Sequence, residues 1–334
     1  MKLLVTGGAG FIGSNFIRYW FKKYPKDKIV NLDKLTYAGH LSTTKDFSQK
    51  ENYKFVKGDV GDFKLVSKLT KSIDVVVNFA AESHNDRAIQ DPGIFVKTNV
   101  LGTQILLEAA RREKVKRFHH ISTCEVFGEL ELDEKRSFKE DDPFRPRTPY
   151  NASKAAADHV VMAYYYTFGM PITISHCCNN LGPYQHPEKL IPRFVTNLME
   201  DKNIPLYKSS QFKREWIYVD DHNNAVDSII EKGRIGEIYN IGTGEERSVE
   251  EIADRLLELL DKPKSLKKYV PDRKSHDKRY LLNTQKIRSE LKWQPRYNFS
   301  EALDKTIKWY EKNEWWWRPL KRKAESLYDK TGQK

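Results

Sequence analysis

Cysteine is scarce in this chain: 334 residues contain three, Cys124, Cys177 and Cys178. An odd number with an adjacent pair excludes a disulfide framework, and no Cys/His spacing suits a metal ion. Cys177 and Cys178 are expected as buried thiols at the end of an apolar strand. Long apolar runs are missing as well. None is long enough to span a bilayer, so no membrane attachment is expected. The opening Met-Lys-Leu-Leu-Val-Thr-Gly-Gly reads as a first strand entering a glycine turn rather than as a signal peptide, which predicts a cytoplasmic location. Internal repeats and low-complexity tracts are absent too.

Positive charge is abundant. The net charge is +12, with 39% hydrophobic and 31% charged residues, a composition ordinary for a globular protein of one large or two coupled domains. The lysines are spread along helix faces, and the densest cluster is Arg318-Pro-Leu-Lys-Arg-Lys323. No nucleic-acid module accompanies them. The excess is therefore read as solvated surface that also attracts an anionic small molecule, with no nucleic-acid partner.

Short β-rich runs alternate with amphipathic stretches through the first half. Strands are predicted over Lys2–Val5, Lys28–Leu32, Tyr53–Lys57, Asp74–Phe79 and Arg117–Ser122. Helices are predicted over Ser14–Tyr24, Phe63–Thr70, Asn99–Glu113 and Tyr150–Phe168. This alternation predicts an α/β fold with a doubly wound parallel sheet. After about residue 179 the rhythm breaks. Ile217–Lys232 reads as a strand and helix returning to the sheet, and Val249–Leu260 as a helix of a smaller lobe. The last dozen residues are polar and are expected to fray.

The first strand leads into Thr6-Gly7-Gly8-Ala9-Gly10-Phe11-Ile12-Gly13, whose Gly7, Gly10 and Gly13 have G-x-x-G-x-x-G spacing. Such glycines permit a tight turn and close approach of a pyrophosphate to a helix N-terminus. Asp33 follows about twenty residues after Gly13, where an acidic side chain can bond the adenosine ribose and repel a 2′-phosphate. The cofactor predicted is NAD, tightly bound. Gly58-Asp59-Val60 and Phe79-Ala80-Ala81-Glu82-Ser83 end the third and fourth strands beside the same crevice.

Tyr150 and Lys154 lie four apart at the start of a helix, with Thr148 as N-cap and Pro149 as first helical residue. That spacing puts both side chains on one face, where an ammonium lowers the pKa of a phenol. Upstream stands Thr123-Cys124-Glu125. A thiol at position 124 is protonated at neutral pH and could donate a proton, or it is core filler.

With these motifs the chain resembles an extended short-chain dehydrogenase/reductase, and is most similar to the dTDP-glucose 4,6-dehydratase family. The resemblance runs nearly the whole length. Its more particular segments are Pro187-Glu188-Lys189-Leu190-Ile191-Pro192, Arg214-Glu215-Trp216-Ile217-Tyr218-Val219 and Asn313-Glu314-Trp315-Trp316-Trp317. It implies a Rossmann domain over 1–178, rejoined by 215–241. A nucleotide-sugar lobe would cover 179–214 and 242–325, with a polar tail over 326–334. It implies an NAD-dependent lyase of nucleotide-sugar metabolism without net redox change. Tyr150 would deprotonate a C4 hydroxyl hydrogen-bonded by Thr123, Glu125 would remove the C5 proton, and water would leave C6 before hydride returns there. Cofactor contacts would also come from Phe11, Ile12, Lys34, Leu35, Thr36, Asp59, Val60, Phe79, Ala80, Ala81, Ser83, Thr98 and Asn180. Substrate contacts would come from Ser83, Thr123, Asn179, Lys189, Leu190, Pro205, Tyr207, Arg214, Asn240, Asp272, Arg273 and His276, with Arg214 clamping the diphosphate. A homodimer through a four-helix bundle is implied as well.

The chain departs from this family at Cys124, where the family carries an aspartic acid, and at Phe127 for tyrosine. The Thr-Cys-Glu set also resembles the UDP-GlcNAc 5,6-dehydratase of tunicamycin-type pathways, which gives a 5,6-alkene. A 4-epimerase is a further alternative, although Glu125 argues against it. A non-catalytic NAD-binding sensor or scaffold is the alternative from another class.

Overall fold

The computed structural model describes residues 1–272 and 275–331, with side chains described through Glu325. β1 (Lys2–Thr6) runs into α1 (Phe11–Lys23), then β2 (Lys28–Asp33), β3 (Tyr53–Lys57), α2 (Phe63–Thr70) and β4 (Val75–Asn78). Two short helices, α3 (Asn85–Gln90) and α4 (Pro92–Phe95), precede α5 (Gly102–Arg112), β5 (Arg117–Thr123), α6 (Pro149–Phe168) and β6 (Ile172–Cys177). Then come β7 (Asn179–Leu181), α7 (Leu190–Met199), β8 (Ile204–Tyr207), β9 (Lys213–Tyr218), α8 (Val219–Lys232) and β10 (Ile238–Ile241). β11 (Glu246–Ser248), α9 (Val249–Leu259), β12 (Lys267–Val270), α10 (Gln285–Leu291), α11 (Phe299–Lys312) and α12 (Glu314–Thr331) complete the order.

Seven parallel strands form the main sheet in the order β10-β6-β5-β4-β1-β2-β3. The chain winds outward from β1 to β3, returns beside β1 as β4, and winds outward the other way. The order reverses between β1 and β4, and a crevice opens at their carboxyl ends, where doubly wound sheets bind ligands. β4 and β6 are buried at every residue; β4 carries the apolar run Val75–Val77 expected of a strand covered on both faces, while β6 also buries Thr173, Ser175 and His176. Apolar clusters fill the helix layers on the sheet, one around Phe16, Trp20 and Val77, another around Leu106, Phe118 and Ile172.

A third cluster around Phe194, Trp216, Leu256, Leu303 and Trp317 belongs to the elements after β6. Two tryptophans of the Trp315-Trp316-Trp317 run serve it. Trp317 donates its Nε1 proton to Tyr310 O at 2.8 Å, and Trp316 donates to Thr43 Oγ1 at 3.2 Å, which joins the C-terminal helix to the loop after β2.

Three local expectations are corrected. The strand read at Ile217 does not return to the main sheet. β9 pairs in parallel with β7 and antiparallel with β11 in a separate three-stranded sheet, while α8 packs on α1 and β10 joins β6. An apolar run such as Trp216-Ile217-Tyr218 has the same periodicity in either sheet. The helix expected from Asn99 begins earlier, with a wide i→i+5 turn over Val96–Leu101 leading into α5. Of the polar end expected to fray, the part up to Thr331 is helical, and residues 332–334 lie outside the described residues. Among the described residues no helix is long and apolar enough to cross a membrane.

Candidate active site

One cavity of about 470 Å³ opens along the carboxyl ends of β1, β2, β4 and β5 and runs on toward α7, β8 and β9. Its first half is backbone-built. Gly7 has φ +71, and a Cβ there would lie 2.8 Å from Ala80 N, while one on Gly13 would lie 2.5 Å from Gly7 O. Only glycine leaves this turn open at the start of α1, so the cradle fits a dinucleotide pyrophosphate. Asp33, at the end of β2, accepts the Ala9 N–H at 2.9 Å and the Leu35 N–H at 2.8 Å. Burial pushes its carboxyl up, and these two bonds oppose that push. Burial pushes the Asp59 carboxyl up, but the Lys34 ammonium at 2.8 Å and the Gly61 N–H at 2.8 Å together hold it below its ordinary value. Gly10, Phe11, Ile12, Thr36, Val60, Phe79, Ala80, Ala81, Ser83, Thr98 and Asn180 line the same half. Leu35 is not among the lining residues.

The second half is built from side chains. Pro149 opens α6 and Thr148 caps it, its Oγ1 accepting the Asn151 N–H at 3.2 Å. Tyr150 and Lys154 thereby face the cavity on one side of the helix, opposite Thr123 and Glu125 at the end of β5. The Lys154 ammonium donates to Ile121 O at 2.7 Å and lies 3.2 Å from His120 Nε2. Burial lowers the Lys154 pKa and pushes the Tyr150 phenol well above its ordinary value, with Glu125 adding to the latter. The lowered phenol pKa expected from the Tyr/Lys spacing is thus absent here, because the ammonium is turned to the β5 carbonyl and burial dominates. Thr123 accepts the Glu125 N–H at 3.3 Å.

Cys124 does not line the cavity. It is 2% exposed and sits in the apolar cluster with Val126 and Phe127, and burial followed by the neighbouring Glu125 pushes its thiol well above the ordinary range. Cys177 and Cys178 are buried, as their strand suggested, and both face the cavity.

Of the expected substrate contacts, Ser83, Thr123, Asn179, Lys189, Leu190, Pro205, Tyr207, Arg214 and His276 line the cavity. The Arg214 guanidinium is held by the carbonyls of Lys213 at 2.7 Å, Asp277 at 2.6 Å and Lys278 at 3.2 Å. Asp272 lies outside the lining and accepts the Ser209 hydroxyl at 2.5 Å, and that hydroxyl lies 2.9 Å from His276 Nδ1. Asn240 is also outside it. Its amide donates to Phe138 O at 2.9 Å and Asn283 O at 3.2 Å, tying segments together. Arg273 lies outside the described residues.

Next to Arg214, Glu215 is wholly buried. Its carboxylate accepts the Gly244 N–H at 2.7 Å and the Leu282 N–H at 3.0 Å. Burial raises its pKa from 4.5 to about 7, against the effect of those bonds. The folded state therefore holds this proton more tightly than the unfolded chain. The stabilisation is complete below the unfolded value and is lost as pH rises through the folded one. Between pH 4.5 and about 8 the wild type should lose about 3 kcal/mol more unfolding free energy than Glu215→Gln. Urea titrations at both pH values check this, and a pH-independent difference between the two proteins contradicts it.

Sequence reasoning missed two groups. Glu188 lines the cavity, is buried and takes the Arg87 guanidinium at 3.0 Å, and Arg87 stacks 3.7 Å over the Tyr37 ring, so α3 and two loops are tied together beside the cavity. Asn85 also lines the cavity and donates to Glu125 at 3.1 Å. Glu188 lies in a segment that carried the resemblance, but nothing in the spacing of these residues says that they meet.

Comparison with known proteins shows the family and the fold. Residues 4–306 match the family model described as GDP-mannose 4,6 dehydratase. The chain is similar to the dTDP-glucose 4,6-dehydratase of Mycobacterium tuberculosis, with 47% identity over all of both chains. Its structure is similar to the crystal structure of the dTDP-glucose 4,6-dehydratase DesIV of Streptomyces venezuelae, which contains NAD. The TM-score is 0.93 at 44% identity, over 96% of this chain and 100% of that one. The dTDP-glucose 4,6-dehydratase of Bacillus anthracis, solved in complex with NAD, gives 0.90 at 43% identity over 96% and 99%.

Proposed function

The chain belongs to the GDP-mannose 4,6 dehydratase family, and from that premise we propose that it is an NAD-dependent dTDP-glucose 4,6-dehydratase. The observation that carries the reading is one continuous cavity. It joins the Gly7–Gly13 cradle to Thr123, Glu125, Tyr150 and Lys154, and these to Arg214 and the pocket of Tyr207 and His276.

Gly7, Gly10 and Gly13 would hold the pyrophosphate of NAD, and Asp33 would take the adenosine ribose. NAD held there would supply hydride chemistry to the sugar carbons C4 and C6. Tyr150 takes the proton of the C4 hydroxyl, and Thr123 hydrogen-bonds that oxygen. The ketone so formed acidifies C5, whose proton Glu125 removes. Arg214 grips the diphosphate bidentately. Leu190, Pro205, Tyr207 and His276 enclose the nucleoside, with Asp272 acting on His276 through Ser209. Ser83, Asn179 and Lys189 line the sugar end.

Cys124 favours a second product. A thiol held neutral and away from the cavity is a weaker proton donor than a carboxylic acid. Loss of water across C5 and C6 gives the same 4-keto-5,6-ene on both routes, and return of the hydride to C4 with a proton to its oxygen, rather than to C6 with a proton to C5, leaves a 5,6-alkene. Removal of the thiol should cost less than about 10²-fold in turnover, at the low end for a general acid. A larger loss in Cys124→Ala assigns the acid role to Cys124. Incubation with dTDP-glucose, UDP-glucose and UDP-GlcNAc, followed by mass and NMR analysis, tests the function. Loss of water from dTDP-glucose to a 4-keto-6-deoxy sugar is expected, and recovery of every substrate intact contradicts it.

The reading carries three further proposals: a cytoplasmic location, a division into the NAD-binding and nucleotide-sugar parts outlined above, and a homodimer in which α5 and α6 pair with their mates. Of the residues read as a dimer face, Leu106, Leu107, Ala110, Val161 and Tyr164 are buried within the chain, while Val160 and Tyr165 are half-buried and, with the exposed Val96, Leu101, Tyr166 and Phe168, offer apolar surface to a mate. A monomer on size-exclusion chromatography contradicts the dimer.

A further inference from the structure

We propose that Asn85 is the positioning residue of the C5 step: its side-chain amide orients the Glu125 carboxylate and couples it to the helix that carries Tyr150 and Lys154. This inference rests on the dehydratase reading above and concerns the same site. Asn85 follows the loop after β4 and opens α3 on the cavity wall. Its Nδ2 donates to Glu125 Oε2 at 3.1 Å, and its Oδ1 accepts the Thr148 hydroxyl at 2.7 Å. Thr148 Oγ1 in turn accepts the Asn151 N–H at 3.2 Å, as the N-cap of α6.

The direction of these bonds follows from the cap. The Thr148 oxygen uses a lone pair on the Asn151 N–H, so its own proton is free for Asn85 Oδ1. The amide is then oriented with its N–H toward the carboxylate, and the flipped amide would put oxygen against oxygen. An N–H donor favours the ionised form of a carboxylate and removes rotamer freedom from a side chain with three flexible torsions. The chain thus runs from the base at the end of β5, through one amide, to the first turn of α6. The C5 base and the C4 base are held in register by a residue on a third element.

Two substitutions test this. Asn85→Val deletes both polar groups at similar size. Turnover should fall about 10- to 10²-fold, with the calorimetric Kd for dTDP-glucose changed less than about 3-fold. In single turnovers, formation of reduced nicotinamide should keep its rate, while deuterium uptake at C5 from D₂O slows as much as turnover. Asn85→Asp keeps the acceptor for Thr148 and turns a carboxylate oxygen toward Glu125. The acid limb of its kcat–pH profile should move up by about one unit or more. Melting temperatures within a few degrees of wild type show that both variants fold. The inference is overturned if Asn85→Asp leaves the pH profile in place, or if C4 oxidation in Asn85→Val slows as much as C5 exchange. A wild-type enzyme that returns every nucleotide-sugar intact overturns the dehydratase reading instead, and this inference with it.

Discussion

Tyr150→Phe should lower turnover by about 10³-fold or more, and the loss should fall on the first chemical step. The phenol is the acid–base group of α6 that faces the cavity beside Thr123, and phenylalanine keeps the ring, its packing on Phe95 and the helix start. What disappears is the oxygen that receives the C4 hydroxyl proton, and general-base removal is worth about 10²–10⁴-fold. Because the phenol sits well above its ordinary pKa in the free protein, ionisation depends on ligands entering the site. Activity should therefore rise toward alkaline pH, and the rise should be missing in the variant. Stopped-flow absorbance of reduced nicotinamide checks this. A variant that oxidises C4 at the wild-type rate refutes the assignment of Tyr150.

Glu125→Gln should separate the two halves of the reaction. It removes the C5 base and keeps the volume, the bond from the backbone to Thr123 and an acceptor for Asn85. The C4 oxidation should survive, so reduced nicotinamide accumulates together with the bound 4-ketone, while water release falls by about 10²–10⁴-fold. Deuterium from solvent should no longer enter C5. If the variant still dehydrates at more than about a tenth of the wild-type rate, the base lies elsewhere among the cavity residues.

Much of this site is legible in the order of the residues alone. The glycine spacing demands a strand, a turn and a helix, and Gly7, with its positive φ, occupies the tight point of that turn. Thr148 and Pro149 mark the start of α6, and four-residue spacing then puts Tyr150 and Lys154 on one face. These are local features, governed by backbone geometry within a few residues. Features that depend on distant segments are not legible in the same way. Whether Lys154 points to Tyr150 or to the Ile121 carbonyl is decided by a strand more than thirty residues away. The withdrawal of Cys124 from the cavity is decided by packing with Val126, Phe127 and the end of β6. Asn240 belongs with the nucleotide-sugar contacts by resemblance, yet its amide bonds the backbone of Phe138 and Asn283. Asn85 shows the reverse case, since a polar residue after a strand end says nothing of the carboxylate it meets forty positions on.

The central claim is that one hydrogen moves within the sugar from C4 to C6. It is tested most directly with dTDP-glucose carrying deuterium at C4, converted in ordinary water with the product read by NMR and mass. The account predicts deuterium in the C6 methyl group of a 4-keto-6-deoxy product. Deuterium remaining at C4, whether in a 5,6-alkene or in an epimer, would contradict it.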